Sequence, residues 1–473
     1  MSIVTTTPSN LFSISAFDLA DVIRRRQVSP VEVVDAVLAR IERFNPALNA
    51  FVITYPERAL ESARAAERAV MAGDALGPLH GVPVSIKDLF WVRGVRHTAG
   101  SKLLENFVPS EDAPAVERLD RAGAINIGKT NTAEFGWRGS TDNPRFGATA
   151  NPWDRTRTPG GSSGGAAAAV AAGLGPLALA GDGAGSIRIP ASFCGLVGLK
   201  ASFGRVPIFP PPANNELVLH AGPITRTVRD AALMLNVLTG PDARDPLSLP
   251  SENADFLHEL DTGLSGARLA WSADLGFLPN DPETRQIAEA AARSFEHDGI
   301  AVEEADLRLS DPSWILDTLW GANLAGQHAG RSSDEKARMD PALVAYVEAR
   351  QHMSISDYVK AVAARQAVVG QLARFFERYD LLLTPTVGLP AFPLGLVNPE
   401  SVAGMPVAHL GWSLAYVFNW SGQPAISVPA GWTSGGLPVG LQIIGRRFEE
   451  ALVLRAARAF EQAHPWSHRW PTL

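Results

Sequence analysis

The chain predicts an α/β fold, because segments with helical periodicity alternate along it with short runs of strand character. Its 473 residues are 46% apolar, enough to bury a large core. No linker, repeat or run of like charge divides it, so residues 1–473 read as one domain. Within that domain, 1–70 reads as an N-terminal helical layer and 71–247 as the core with the candidate chemistry. The stretch 248–379 reads as a mostly helical cap or insertion, and 380–473 as strands and a helix that complete the core.

The elements follow in order. In "AFDLADVIRRRQVSPVEVVDAVLARIERFNPALNAF" apolar residues recur three and four apart, so the region from Ala16 to Met71 reads as helical, with Ser29 capping and Pro30 opening the second helix. In "GVPVSIKDLFWVRG", Val82, Val84 and Ile86 alternate with Pro83, Ser85 and Lys87, the period of a strand. Lys87 then falls on the face opposite the aliphatic residues. The helix "APAVERLDRAG" stops at Gly123, and "AINIGKTNTAEFG" reads as a strand and turn. In "PGGSSGGAAAAVAAG" the glycines turn the chain, Ser163 is a candidate cap, and Ala166 to Ala172 form a helix. A proline-filled loop, Pro207 to Pro212, leads to "AGPITRTVRDAALMLNVLTG", read as a capped amphipathic helix. From Ser248 to about Tyr379 the pattern is mostly helical, and "SWILDTLWGANLAG" is its most apolar part. "DLLLTPTVGLPAFPLG" and "GQPAISVPAGWTSGGLPVGLQIIG" are strand runs with tight turns, and "EEALVLRAARAFEQA" is a closing helix.

Composition excludes several classes of function. A net charge of −7 gives no basic footprint for nucleic acid, and "RRR" at Arg24 to Arg26 reads as a solvated helix face. The longest apolar run, Ala166 to Ala180, is broken by Gly173, Gly175 and Pro176 and is too short to span a bilayer. "MSIVTTTPSNLF" lacks a charged segment followed by an apolar one, so a cytoplasmic location is expected. The lone Cys194 excludes an intramolecular disulfide, and its small apolar neighbours mark a buried, inert thiol. Ten histidines show no metal-ligand spacing, so neither a metal nor another cofactor is expected.

The glycine-serine loop therefore needs another account. It carries no Lys-Ser/Thr pair of a phosphate loop, and "GDGAGS" at Gly181 to Ser186 is not a dinucleotide fingerprint. A serine hydroxyl is a weak nucleophile and must pass its proton to a base as it attacks. No histidine sits in a recognisable elbow. The chain offers instead Lys87, on a strand that reads as buried, and Ser162, Ser163 and Ser186 in glycine-rich turns. Burial disfavours the charged ammonium, and a neutral lysine can serve as the base.

On these residues the chain resembles the amidase signature family of serine hydrolases. The resemblance runs over nearly the whole length and is densest in "GGSSGGAAAAVAAGLGPLALAGDGAGSIRIPASFCGLVGLK", with "GPLHGVPVSIKD" before it and "GQPAISVPAG" and "GLPVGLQIIG" after it. It implies a single large α/β/α sandwich with a central mixed, twisted β-sheet covered by helices. It also implies a catalytic triad of Ser186 as nucleophile, Ser162 as bridge and Lys87 as base, with the peptide bond before Ser162 in cis. Backbone N–H groups of Gly183, Ala184, Gly185 and Ser186 would form an oxyanion hole. Ala184 stands where the family more often has glycine, so the turn there must avoid or tolerate positive φ. Ser163, Asp182 and Arg188 would support these groups, and His80 reads as a structural histidine.

The resemblance implies hydrolysis of a C–N acyl bond through an acyl-enzyme, without choosing among amides, esters and carbamates. The pocket would lie near Gly136 and Trp137 and the loop Phe209 to His220, with contributions from the middle region and from Tyr416 to Trp420, and the aromatic residues there are compatible with an aryl or apolar substrate. The expected partner is a small molecule, for a monomer or homodimer. Two other readings stay open: the glutaminase-like subunit of an aminoacyl-tRNA amidotransferase, and an inactive binding protein on the same scaffold. "YVFNWSGQPAISVPAG" is closer to stand-alone amidases.

Overall fold

The computed structural model describes residues 11–211, 218–250, 255–407 and 409–473. Among these, eleven strands form one sheet: β1 (Phe51–Thr54), β2 (Pro83–Lys87), β3 (Ile125–Thr130), β4 (Leu177–Asp182), β5 (Val197–Lys200), β6 (His220–Thr225), β7 (Leu269–Trp271), β8 (Val302–Glu304), β9 (Leu381–Pro385), β12 (Ala425–Trp432) and β13 (Pro438–Gly445). A separate two-stranded ribbon pairs β10 (Ser401–Val402) with β11 (Met405–Pro406). The order across the sheet is β1-β3-β2-β4-β6-β5-β12-β13-β9-β7-β8. Pairs β2/β3, β2/β4, β7/β8 and β7/β9 are parallel and the rest antiparallel, so the sheet is mixed.

Alternation along β4 shows the layers. Leu177 and Leu179 pack into a core with Val228, Leu235 and Leu238 of one helix, while Ala178 and Ala180 pack into a second core with Ala167 and Ala171 of another. Successive side chains on a strand point to opposite faces, so helices cover both sides of the sheet in an α/β sandwich. The same alternation on β2 sends Val84 and Ile86 into the first core and leaves Lys87 on the other face.

Two strands depart from the sequence reading. The helix Pro30–Leu48 begins with a capping box, in which Val31 N donates to Ser29 Oγ at 3.0 Å and Ser29 N donates to Glu32 Oε2 at 2.9 Å. It ends where Asn45 Oδ1 accepts from Ala50 N and Phe51 N, and this turns the chain into β1 inside the stretch read as helical. Likewise His220–Thr225, read as part of a helix, is β6, and the helix Val228–Leu238 starts after Thr227, whose side chain accepts from Asp230 N. The stretch 248–379 is mostly helical and also adds β7 and β8 to the sheet.

Candidate active site

Three segments meet at the carboxyl ends of the parallel pair β2 and β4, the end of such strands where open α/β sheets place ligands. Lys87 closes β2. The loop Gly160–Ser163 enters the helix Gly164–Ala171, and the turn after β4 carries Ser186 into the helix Arg188–Cys194. Lys87 Nζ donates to Ser162 Oγ at 2.8 Å, and both side chains are buried. The carbonyl of Gly181 accepts from Lys87 Nζ at 3.5 Å and from Ser163 Oγ at 3.1 Å. Loss of hydration lowers the Lys87 ammonium to about 7, although the Asp182 carboxylate pulls the other way. Next in the chain, Asp88 is paired with the buried Lys129 at 2.5 Å, which anchors the end of β2.

The Gly161–Ser162 peptide bond is cis. Only Gly160 among the four glycines of this loop has positive φ, at 80°. The others are there for space. A Cβ on Gly161 would lie 2.6 Å from Ser140 backbone, one on Gly164 2.4 Å from Thr141 Oγ1, and one on Gly165 2.4 Å from Asn131 N. Ser163 does not cap the helix with its side chain, since its hydroxyl is turned to Gly181. Thr141 Oγ1 takes the cap instead, accepting from Gly164 N at 2.9 Å while donating to Gly160 O at 2.8 Å.

The turn after β4 is held by charge. Asp182 and Arg188 form a fully buried bidentate pair, with Nε to Oδ2 at 3.0 Å and Nη2 to Oδ1 at 3.1 Å. Burial alone would raise the Asp182 carboxyl, but the guanidinium and the hydrogen bonds of Arg188 and Asn419 hold it well below the usual carboxylate range. Arg188 also donates to Asn419 Oδ1 and Gln442 Oε1, both at 2.7 Å, and Asn419 Nδ2 donates to Asp182 Oδ1 at 2.8 Å. Gly185 N donates to Asp182 Oδ1 at 2.6 Å, so of the four N–H groups expected for an oxyanion hole this one is already engaged. Gly183, Ala184 and Ser186 are left for the task. Positive φ falls on Gly185, at 115°, and not on Ala184, so alanine fits.

A cavity of about 220 Å³ opens onto Lys87, Ser162, Ser186 and Gly183. Its wall is mainly apolar, with Phe90, Trp91, Phe135 and Phe209 among its faces. Gly136 lies on it, and a Cβ there would come 3.3 Å from Ser162 Oγ. The helix Ser313–His328 contributes Trp320, Asn323, Leu324 and Gln327. Three residues expected at the pocket do not line this cavity. Trp137 is turned away, with Nε1 donating to Asp340 Oδ2 at 3.2 Å and its ring stacked on His409. Tyr416 and Trp420 pack against each other at 5.1 Å in the core. Of the expected pocket loop, residues 212–217 lie outside the described residues. His80 lies off this cavity, with Nε2 2.9 Å from Ala66 O, and Cys194 is buried with its thiol pushed up by loss of hydration.

Thr141 and Gln442 carry no signal in the sequence, and Trp320, Asn323 and Asn419 are not singled out within the middle region and the Tyr416 to Trp420 segment from which pocket contributions are expected. The "NWSGQP" segment around Asn419 stands out by its likeness to stand-alone amidases, but nothing local marks a hydrogen-bond partner 237 residues away.

Known proteins resemble the chain over nearly its whole length. A family profile described as Amidase matches residues 32–454. An acylamidase of Rhodococcus erythropolis is 39% identical over 98% of this chain and 98% of that protein. A glutamyl-tRNA(Gln) amidotransferase subunit of Methylobacillus flagellatus is 37% identical over 96% of this chain and 97% of that protein. The solved structure of a bacterial aryl acylamidase of the amidase signature family superposes with a TM-score of 0.90 at 35% identity, covering 96% of this chain and 97% of that one.

Proposed function

We propose, since the chain belongs to the amidase signature family of hydrolases acting on amides, that it cleaves its substrate through an acyl-enzyme on Ser186. The observation that carries the proposal is the 2.8 Å contact between Lys87 Nζ and Ser162 Oγ, both buried, on the wall of the cavity that also contains Ser186. With its proton affinity lowered to about 7, Lys87 is partly neutral at physiological pH and can accept a proton. Ser186 Oγ bonds to the acyl carbon as its proton passes to Ser162, which hands its own to Lys87. The carbonyl oxygen takes the negative charge opposite the N–H groups of Gly183, Ala184 and Ser186. When the C–N bond breaks, Lys87 returns the proton through Ser162 to the amine, and water then releases the acid by the same relay.

The apolar wall supports an aryl or otherwise apolar, uncharged substrate, and aryl esters and carbamates fit the same chemistry. Likeness to the amidotransferase relative supports a second reading, a partner-dependent glutaminase-like role, and stoichiometric partner proteins in a pull-down would favour it.

The test is intact-mass spectrometry after treatment with an aryl fluorophosphonate, followed by peptide mapping and a panel of anilides, p-nitrophenyl esters and aryl carbamates. One label on Ser186 and turnover of neutral aryl amides are expected. Absence of labelling, or faster turnover of small charged amides, would overturn the reading. Ser186→Ala should abolish hydrolysis. Lys87→Ala and Ser162→Ala should each cost orders of magnitude in kcat, with the double variant little worse than the worse single one.

A further inference from the structure

The cavity wall holds two side-chain amides that the proposed hydrolysis does not use, Asn323 and Gln327. Asn323 is 7% exposed and lines the cavity from the helix Ser313–His328. Gln327, one turn on, donates from Nε2 to Asn323 Oδ1 at 2.9 Å, and this fixes which end of the Asn323 amide faces the cavity. Among the described residues Asn323 Nδ2 has no acceptor. An N–H pair beside a cavity lined by Phe90, Trp91, Phe135 and Leu324 gains most from a ligand atom that accepts a hydrogen bond.

Position along the helix says where that atom lies. Trp320 covers Gly183, since a Cβ on Gly183 would come 3.1 Å from its ring. Asn323 follows it by three residues on the same face, about 4.5 Å further along the axis at 1.5 Å per residue. Measured from the turn that holds the scissile carbonyl, that offset is roughly one benzene ring.

We infer that Asn323 forms a polar subsite that selects neutral aryl substrates carrying a hydrogen-bond acceptor at the far end of the ring. The inference rests on the proposed hydrolysis of aryl amides. An ether or ketone oxygen in the para position reaches Nδ2, whereas an alkyl group of the same size leaves the amide unpaired. The subsite therefore discriminates by lost hydrogen bonding, not by shape.

The experiment compares kcat/KM for para-methoxy and para-ethyl members of two substrate series, with the substituent on the acyl ring in one and on the anilide ring in the other. Wild type, Asn323→Leu and Asn323→Ala are measured side by side, and labelling by an aryl fluorophosphonate counts the competent sites. Intrinsic reactivity differs equally for every enzyme form and cancels in the ratio of ratios. In at least one series the methoxy preference of wild type should exceed that of both variants by about 5- to 10-fold. Equal preferences in wild type and variants, with both series turned over, would overturn the polar subsite and leave the hydrolysis standing. Labelling of Ser186 without turnover of any member would overturn the aryl reading itself, and the subsite with it.

Discussion

Lys87 is the residue of the candidate site whose protonation burial changes most usefully, because loss of hydration lowers the ammonium to about 7 from the usual 10.5. If it is the base, kcat/KM should climb about tenfold per pH unit below 7 and level off above, and a profile flat from pH 5 to 9 would remove Lys87 from the relay. The same shift has a consequence for stability. Between 7 and 10.5 the unfolded chain keeps the proton that the folded chain has lost, so the unfolded state binds more protons and stability from this site rises with pH. Relative to Lys87→Met, the wild-type protein should gain up to about 1.4 kcal/mol per pH unit between pH 7 and 9, read from denaturant midpoints. No gain would mean that Lys87 stays charged in the fold. Gly136 is the second sensitive position. Its φ of 73° and the approach of an added Cβ to Ser162 Oγ and Leu89 mean that Gly136→Ala must push on Ser162. A fall in kcat of about 10- to 100-fold with a smaller change in KM is expected, since about 1.4 kcal/mol of barrier is a factor of ten.

At the scale of elements, the turn between β4 and the helix Arg188–Cys194 is held in place by residues from the far end of the chain. Asn419 donates to the carbonyl and carboxylate of Asp182 and accepts from Arg188, while Gln442 on β13 takes another guanidinium bond. Hydrogen bonds to buried charges are among the stronger ones, so Asn419→Ala should cost about 2–4 kcal/mol in folding stability and lower kcat as the turn that carries Ser186 loosens. A variant as stable and active as the wild type would show that the ion pair holds the turn unaided. Asp182 and Arg188 were legible in the sequence because they flank Ser186 in one motif, whereas Asn419 and Gln442 are 231 and 254 residues from Arg188 and share no local pattern with it. The glycines were legible as a feature, but their reason was not, because close approach of Ser140, Thr141 and Asn131 is a tertiary fact. β1 and β6 escaped notice because each is four to six residues long and adjoins a strongly periodic helix, whose pattern dominates any window that spans both.

Across the whole molecule, the sheet draws on both ends of the chain, with β5 from the first half hydrogen-bonded to β12 from the last fifty residues. The site lies where these halves and the helical stretch 248–379 meet. The helix Ser313–His328 docks there through Trp320, whose Nε1 donates to Trp137 O at 3.0 Å while its ring lies over Gly183. Trp137 Nε1 in turn donates to Asp340, which also lies 3.5 Å from Arg138. The residues that meet at the candidate site stood out in the sequence because Ser162 and Ser186 sit in one glycine-rich stretch of chain and Lys87 in a short alternating run. The cavity was only half readable, since its far wall comes from the least patterned part of the sequence, and the aromatics expected there, Trp137, Tyr416 and Trp420, turn into the core instead. If Trp320 acts as wall, removing its ring takes apolar surface from the substrate's side of the cavity and leaves the turn that carries Ser186 pinned by Asp182. Trp320→Ala should then raise KM for aryl amides about tenfold, the effect of roughly 1.4 kcal/mol of lost apolar contact, with a smaller change in kcat. A fall in kcat at constant KM would assign the ring the opposite task, bracing Gly183 and its neighbouring N–H groups against the developing oxyanion.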